Sequence, residues 1–332
     1  MNGVSDRWLL TGDIGATKTA FAIFPLLEDG APAAAEATFK SGEFETFEAV
    51  LETFLSTHPI APERAVIAVA GPVLDQCAQV TNLPWQIEAD TIEARFDIDH
   101  VDLINDIEAL AWAIPQVDAE KLHVLHAGQG RPGGAIAILA PGTGCGEAFL
   151  VWNGSQYIAY PTEAGHADFA SSNPDHIELL CYLRNHLDQV FVESFCSGIG
   201  LPNIYRFLRD ERGLEEEPWL ADRLQDAADA TPIISEAAIG GTSPLCVKTL
   251  EWFVSVLAAE ARSFAMRILA TGGLFLGGGI PPRILPFLSD GRFLEEFHRG
   301  GPFSDVLADI PISVILDSRV ALDGSARRGR AG

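Results

Sequence analysis

The 332-residue sequence is poor in cationic side chains, with 22 Lys and Arg against 46 Asp and Glu and a formal net charge of −24. Nucleic-acid binding needs a cationic face, and an anionic membrane surface attracts one as well. The charge balance therefore argues against both kinds of partner and says nothing about fold. Cysteine is scarce too. Cys77, Cys145, Cys181, Cys196 and Cys246 are odd in number, widely spaced and free of any Cys-x-x-Cys pair. That pattern predicts reduced thiols in a cytoplasmic protein, without a disulfide frame or a zinc site. No long apolar run is free of charge. The most apolar stretch, Leu250 to Leu269, carries Glu251, Glu260, Arg262 and Arg267, which excludes a membrane span. The apolar start Trp8-Leu9-Leu10 is stopped by Gly12-Asp13, so no signal peptide is expected. Low-complexity segments are absent, and an apolar fraction of 48% excludes a disordered chain.

What is present is an alternation of strands and helices, which gives an α/β class. Arg7 to Thr11 and Ala20 to Phe24 read as strands around a turn, Gly12 to Thr17. Phe47 to Leu55 has helical spacing, and Ala65 to Ala70 is a short buried strand. A further strand ends near Leu103-Ile104, where Asn105 caps a helix from Asp106 to Ile114. From Gly134 the first pattern returns: strand Ala135 to Ala140, turn Pro141 to Gly146, strand Ala148 to Trp152. This repetition predicts two similar halves facing one another. Asn173 and Pro174 open a helix to Leu187, and Leu250, Phe253, Val254, Leu257, Ala261, Phe264 and Ile268 share one helical face. Then come strand Leu274 to Leu276, the run Gly277-Gly278-Gly279 and a helix opened by Pro281-Pro282. The chain closes on strand Ile312 to Leu316, a glycine turn and a frayed basic tail with Arg327, Arg328 and Arg330. Glu215-Glu216-Glu217-Pro218 reads as a solvated loop.

Three glycine patterns mimic nucleotide motifs. Gly12 to Thr19 nearly matches a P-loop, but Thr17 replaces the second glycine and a strand follows where a helix should open. Gly128 to Gly133 matches a dinucleotide pattern but precedes a strand and contains Pro132, and Gly142 to Gly146 lacks the third glycine at the required offset and also runs into a strand. The two Gly-Thr turns fit another mechanism. Backbone N–H groups of a tight turn form an anion-binding nest, glycine allows close approach, and threonine adds a donor. A pair of such turns can clamp a polyphosphate; each alone is equally an ordinary hairpin turn. Asp106, at a helix N-terminus, can accept a hydroxyl proton in phosphoryl transfer, or Asn105-Asp106 can simply cap. Glu163 and His166 can bond sugar hydroxyls or be ordinary loop residues, and Glu193 alone carries no signal.

In this order the pieces resemble the bacterial glucokinase family of the actin–hexokinase–chaperone ATPase superfamily, over nearly the whole chain. Gly12-Asp13-Ile14-Gly15-Ala16-Thr17 is similar to its first phosphate loop, with Ala16 in place of a second glycine. Gly142-Thr143-Gly144 is similar to the second, and Gly277-Gly278-Gly279 to the adenosine motif, with Gly278 and Gly279 as the ATP contacts. Thr81-Asn82-Leu83-Pro84-Trp85 resembles the sugar loop and Leu103-Ile104-Asn105-Asp106 the catalytic segment. The resemblance implies Asp106 as general base and Asn82, Asn105, Asp106, Glu163, His166 and Glu193 as sugar ligands. It implies a two-domain actin-like, ribonuclease H-like fold with an interdomain cleft. Residues 1–112 and 310–332 would form the small domain and residues 113–309 the large one. The implied reaction is ATP-dependent phosphorylation of D-glucose to glucose 6-phosphate. Mg2+ would be held mainly through the phosphates, with no protein metal site beyond a water held by Asp13. A homodimer is implied as well. Mannose, fructose or an N-acetylhexosamine as substrate, or a nucleotide-gated binding module, are the alternatives.

Overall fold

The structure is a computed structural model that describes residues 7–317 and 319–331. The chain divides into two compact units, residues 1–117 with 317–332, and residues 118–316.

In the first unit, β1 (Trp8–Ile14) and β2 (Lys18–Pro25) form an antiparallel hairpin, and β3 (Ala35–Lys40) continues the meander. Helix α1 (Phe47–Thr57) returns the chain, so that β4 (Arg64–Val69) pairs parallel to β1. A small antiparallel sheet of β5 (Val73–Leu74), β6 (Cys77–Gln79) and β7 (Gln86–Glu88) follows. Helix α2 (Ala89–Phe96) then leads to β8 (His100–Asn105), parallel to β4, and to α3 (Asp106–Ala113). The main sheet order is β3-β2-β1-β4-β8. Its central strands carry apolar runs, such as residues 20–24 and 65–69, because both faces are covered. Successive side chains alternate between them. Leu10, Phe21, Ile23 and Ile67 pack with Phe47 and Phe54 of α1, while Leu9, Ala22, Phe24 and Val66 pack with Ala109 of α3.

In the second unit, β9 (Leu122–His126) precedes a second meander, β10 (Ile136–Pro141), β11 (Cys145–Trp152) and β12 (Tyr157–Thr162). Five helices follow: α4 (Pro174–His186), α5 (Gly200–Asp210), α6 (Pro218–Gln225), α7 (Thr231–Ile239) and the long α8 (Pro244–Ile268). Next is β13 (Gly273–Leu276), parallel to β10, then α9 (Leu285–Leu288), α10 (Arg292–Phe297) and α11 (Ser304–Ala308). Last is β14 (Ile312–Ile315), parallel to β13 and antiparallel to β9. The order is β12-β11-β10-β13-β14-β9. A meander of three antiparallel strands flanked by two parallel ones occurs in both units, so the repeated hairpin in the sequence marks a repeated sheet.

Four local expectations are corrected. β14 joins the second sheet, which puts the boundary after Leu316 and not near residue 310. Its three apolar residues, Ile312, Val314 and Ile315, fit either sheet, and partner choice depends on distant strands. The expected glycine turn and frayed tail form helix α12 (Val320–Ala331), packed on α3. A Cβ on Gly324 would overlap the carbonyl of Ala109, so Asp323-Gly324 is a helix-packing position. Arg327 donates to the Ala113 carbonyl at 2.6 Å and Arg330 to the Pro25 carbonyl at 2.9 Å. Pro281-Pro282 lie in a turn before α9. The acidic Glu215–Glu217 stretch is only partly solvated: Glu216 accepts from Tyr205 at 2.7 Å and Glu217 from Ser243 at 2.6 Å.

Candidate active site

In the first unit the candidate residues collect at the carboxyl ends of β1, β4 and β8, where ligands of open α/β sheets bind. Strand β1 runs on through Gly12-Asp13-Ile14, so the bend is only Gly15-Ala16-Thr17. Gly12 lies inside the sheet, and a Cβ there would meet Ile67 at 3.1 Å and Phe21 at 3.2 Å; packing alone requires its bareness. The bend closes through Gly15 N–H to Lys18 O at 2.9 Å. Buried Ser41, which carried no signal in the sequence, fixes it from behind. Its hydroxyl donates to Gly15 O at 2.7 Å and lies 3.0 Å from the Thr19 hydroxyl, and its N–H donates to Thr17 O at 3.2 Å. Burial pushes the half-buried Asp13 carboxyl up to about 6, with Lys18 pulling it back.

The Asn105 side chain does two things. Oδ1 accepts from Ile107 N–H at 2.9 Å and caps α3, while Nδ2 donates to Gly71 O at 2.9 Å. The neighbouring Ala70 carbonyl accepts from Thr81 N–H at 3.2 Å, so Asn105 and the loop carrying Asn82 are tied to one short segment. Asn82 is exposed with φ of 62°, a left-handed conformation that asparagine tolerates. Trp85 is 2% exposed and donates to Phe44 O, which makes it the anchor of that loop. Asp106 is exposed at the first position of α3, its Oδ1 2.9 Å from Ile107 N. The positive end of the helix dipole favours the ionised carboxylate there.

In the second unit four segments meet where β10 ends. The turn Gly142-Thr143-Gly144 closes through Gly142 N–H to Gly144 O at 2.8 Å and leaves Thr143 exposed. Cys145 N–H donates to Glu193 Oε2 at 3.0 Å, and a Cβ on Gly144 would overlap that carboxylate. Glycine is thus required for Glu193 to reach the turn. Gly165 meets the same constraint, since a Cβ there would overlap the Cys145 carbonyl. This draws Glu163 and His166 against the strand; His166 Nδ1 lies 3.8 Å from Glu163 Oε2 and its ring 5.5 Å from that of Phe191. Gly198 N–H donates to Gly142 O at 2.8 Å, so the Ser197-Gly198-Ile199-Gly200 stretch supports the turn. Gly277 N–H to Leu139 O at 2.9 Å and Ile280 N–H to Pro141 O at 3.2 Å hold Gly278 and Gly279 alongside. A Cβ on Gly142 would stand 3.8 Å from Gly279 N, with nothing nearer, which leaves backbone room for phosphate.

Behind this site lies a buried acid pair that no sequence pattern announces. Glu147, two residues into β11 from Cys145, is wholly buried and neither carboxylate oxygen has a hydrogen-bond partner. Burial and the nearby Glu260 push it up to about 8. Glu260 of α8 is pushed up to about 7 by burial, against its ion pair with Arg267. Burial pushes the Cys145 and Cys196 thiols upward as well. Among the described residues no three His, Cys, Asp or Glu side chains gather to hold a metal, and no helix is long and apolar enough to cross a membrane.

A family model described as Glucokinase matches residues 10–331. A glucokinase of Nostoc sp. is 35% identical over 96% of this chain and 97% of its own length. The crystal structure of a glucokinase from an Antarctic psychrotroph superposes with a TM-score of 0.86 at 31% identity, covering 98% of this chain and 99% of that one. A glucokinase from Balamuthia mandrillaris, solved in complex with glucose, shares the fold with a TM-score of 0.80 at 21% identity, over 99% of this chain and 96% of that one. Both units carry the sheet of the actin-like, ribonuclease H-like ATPases. With matched family sequence running from β1 into α12 and both glycine turns at the ends of equivalent strands, the chain belongs to the glucokinase family.

Proposed function

We propose that this chain transfers the γ-phosphoryl group of ATP to the 6-hydroxyl of D-glucose. The observation that carries the reading is the bond from Cys145 N–H to Glu193. It joins a glycine turn suited to phosphate to a carboxylate suited to a sugar hydroxyl.

Phosphoryl transfer depends on positioning and charge stabilisation far more than on covalent chemistry by the protein. Gly15-Ala16-Thr17 and Gly142-Thr143-Gly144 bind the β- and γ-phosphates through backbone N–H groups, while Gly278 and Gly279 border the adenosine. Asn82, Asn105, Glu163, His166 and Glu193 hold the sugar hydroxyls. Sites built on hydroxyl hydrogen bonds reject analogues that lack them. Asp106 orients the 6-hydroxyl and takes its proton as the oxygen bonds to phosphorus and ADP leaves. Mg2+ keeps its waters and binds through phosphates and one or two carboxylates, and the half-buried Asp13 near the carboxyl end of β1 offers one such group. Asp13 would hold a water of that ion, which when bound would neutralise charge on the transferred group. The proposed setting is the cytoplasm, where ATP is supplied and the five cysteines, all free thiols, stay reduced.

The test is product formation from glucose, mannose, fructose and N-acetylglucosamine, each with ATP and with polyphosphate. Glucose with ATP is expected to give the highest kcat/KM. A higher value for another hexose, or nucleotide binding without sugar turnover, overturns the assignment.

A further inference from the structure

Both groups of sugar ligands in the second unit hang on the first three residues of β11. Cys145 N–H holds Glu193 Oε2 at 3.0 Å, and Gly165 packs against the Cys145 carbonyl. The Glu147 carbonyl accepts from the Thr162 hydroxyl at 2.9 Å, and that oxygen accepts in turn from Ala164 N–H at 3.2 Å, beside Glu163. The Glu147 side chain is wholly buried, and neither of its oxygens has a hydrogen-bond partner. Its neighbours in register explain this: Leu139 on β10 is apolar, and the Thr162 hydroxyl on β12 is engaged with the main chain. From α8 comes Glu260, 1% exposed, with one oxygen paired to Arg267 and the other unpartnered. Arg267, the cation facing Glu147, is thus already taken up by Glu260. The thiols of Cys145 and Cys196, with Glu193 beside Cys145, complete the titratable surroundings.

We propose that Glu147 is a positioning residue that must keep its proton for glucose to bind tightly, so that the start of β11 makes sugar affinity sensitive to pH. The inference rests on the sugar-binding reading of Glu163, His166 and Glu193. A carboxylate without a donor in a dry site costs far more than the neutral acid. Two ionised carboxylates at this depth also repel each other. Burial and Glu260 hold the Glu147 proton up to about 8, while Glu260, paired with Arg267, ionises near 7. Once Glu147 ionises, the repulsion is relieved where the structure yields. Helix α8 is anchored along its length by buried apolar side chains, whereas β11 starts beside a turn with Thr143 exposed. Displacement there draws Cys145 N–H from Glu193 and the Glu147 carbonyl from Thr162. Glucose then loses both groups of ligands together. Asp106 and the bend Gly15-Ala16-Thr17 belong to the first unit, so kcat changes less than KM for glucose.

Calorimetric titration of the full chain with glucose, from about pH 6.5 to about pH 9, tests this. Kd for glucose is expected to rise about tenfold across that range, centred near pH 8. Glu147→Gln, a neutral isostere, should keep the low-pH Kd throughout. Glu260→Gln removes the repelling charge and frees Arg267. Both changes let Glu147 ionise more readily, so the rise should move to lower pH. A merely structural role for Glu147 would leave that midpoint in place. A flat profile in a parent protein that binds glucose overturns the inference alone, as does a rise that persists in Glu147→Gln or a midpoint that Glu260→Gln does not shift. Absence of glucose binding at every pH overturns the sugar reading and this inference with it. Infrared spectroscopy of the unaltered protein reads the proton without sugar or variant. The carbonyl stretch of a buried, protonated carboxyl should be present near neutral pH and disappear as the pH rises through about 8; a spectrum without that band at neutral pH refutes the proposal.

Discussion

Glu193 Oε2 lies 3.0 Å from the backbone nitrogen of Cys145, directly over the missing side chain of Gly144. A single methyl group at position 144 therefore reaches the sugar side of the candidate site. Gly144 has no left-handed φ, so alanine suits the backbone and the carboxylate must move. Gly144→Ala is expected to raise KM for glucose about tenfold, or ~1.4 kcal/mol, and Glu193→Gln should do the same. Steady-state kinetics on both substrates checks it. A rise in KM for ATP alone would remove Glu193 from sugar binding.

Asp106→Asn keeps an acceptor at the start of α3 but loses the base. Turnover should fall by about 10^2–10^4, the usual range for a positioned proton acceptor. Glucose binding by calorimetry should be little changed. Near-normal turnover in a coupled assay would exclude Asp106 as the base.

Ser41→Ala removes the hydroxyl that donates to Gly15 O and approaches Thr19. Loss of a buried partner of this kind costs about 1–3 kcal/mol. Denaturant unfolding should show that loss, and KM for ATP should rise several-fold as the first bend loosens. Unchanged values for both would mean that the bend is held without Ser41.

Glu147 supplies a pH dependence. Its folded carboxyl binds a proton up to about 8, well above its ordinary 4.5. Between those values the folded state holds more protons than the unfolded one, so stability falls as pH rises. It is fully present below about 4.5 and lost by about 8, with Glu260 adding to the same trend. Glu147→Gln stays neutral at every pH, and its stability curve should be flatter between those limits. Near pH 8 it should exceed the parent by a few kcal/mol, because each pH step of one between the two values costs the parent ~1.4 kcal/mol. Denaturant midpoints across pH measure it. Parallel curves for parent and variant would show that Glu147 is ionised throughout.

The parts of the site readable in the sequence are those made by near neighbours. Asn105 caps α3 through the amide two residues on, and Asn173 and Pro174 open α4, because such bonds depend on short spacing. The two Gly-Thr bends are visible for the same reason, although β1 carries Gly12 and Asp13 into the sheet. Ser41, the Gly71 carbonyl, Gly165 and the pair Glu147 and Glu260 were not readable. Each acts on residues far along the chain, and a lone serine or glutamate has no local pattern.

The sequence by itself determined the alternation of strands and helices, the repeated hairpin, the negative charge and the positions of the glycine bends. These follow from side-chain period, turn chemistry and composition, all of which are local or additive. Only the tertiary structure decided that β14 joins the second sheet, that the arginine-rich end is a packed helix, and that Glu193 rests on Gly144. Those outcomes depend on which distant backbones pair and how closely they approach, and a chain read residue by residue carries no distance between its parts.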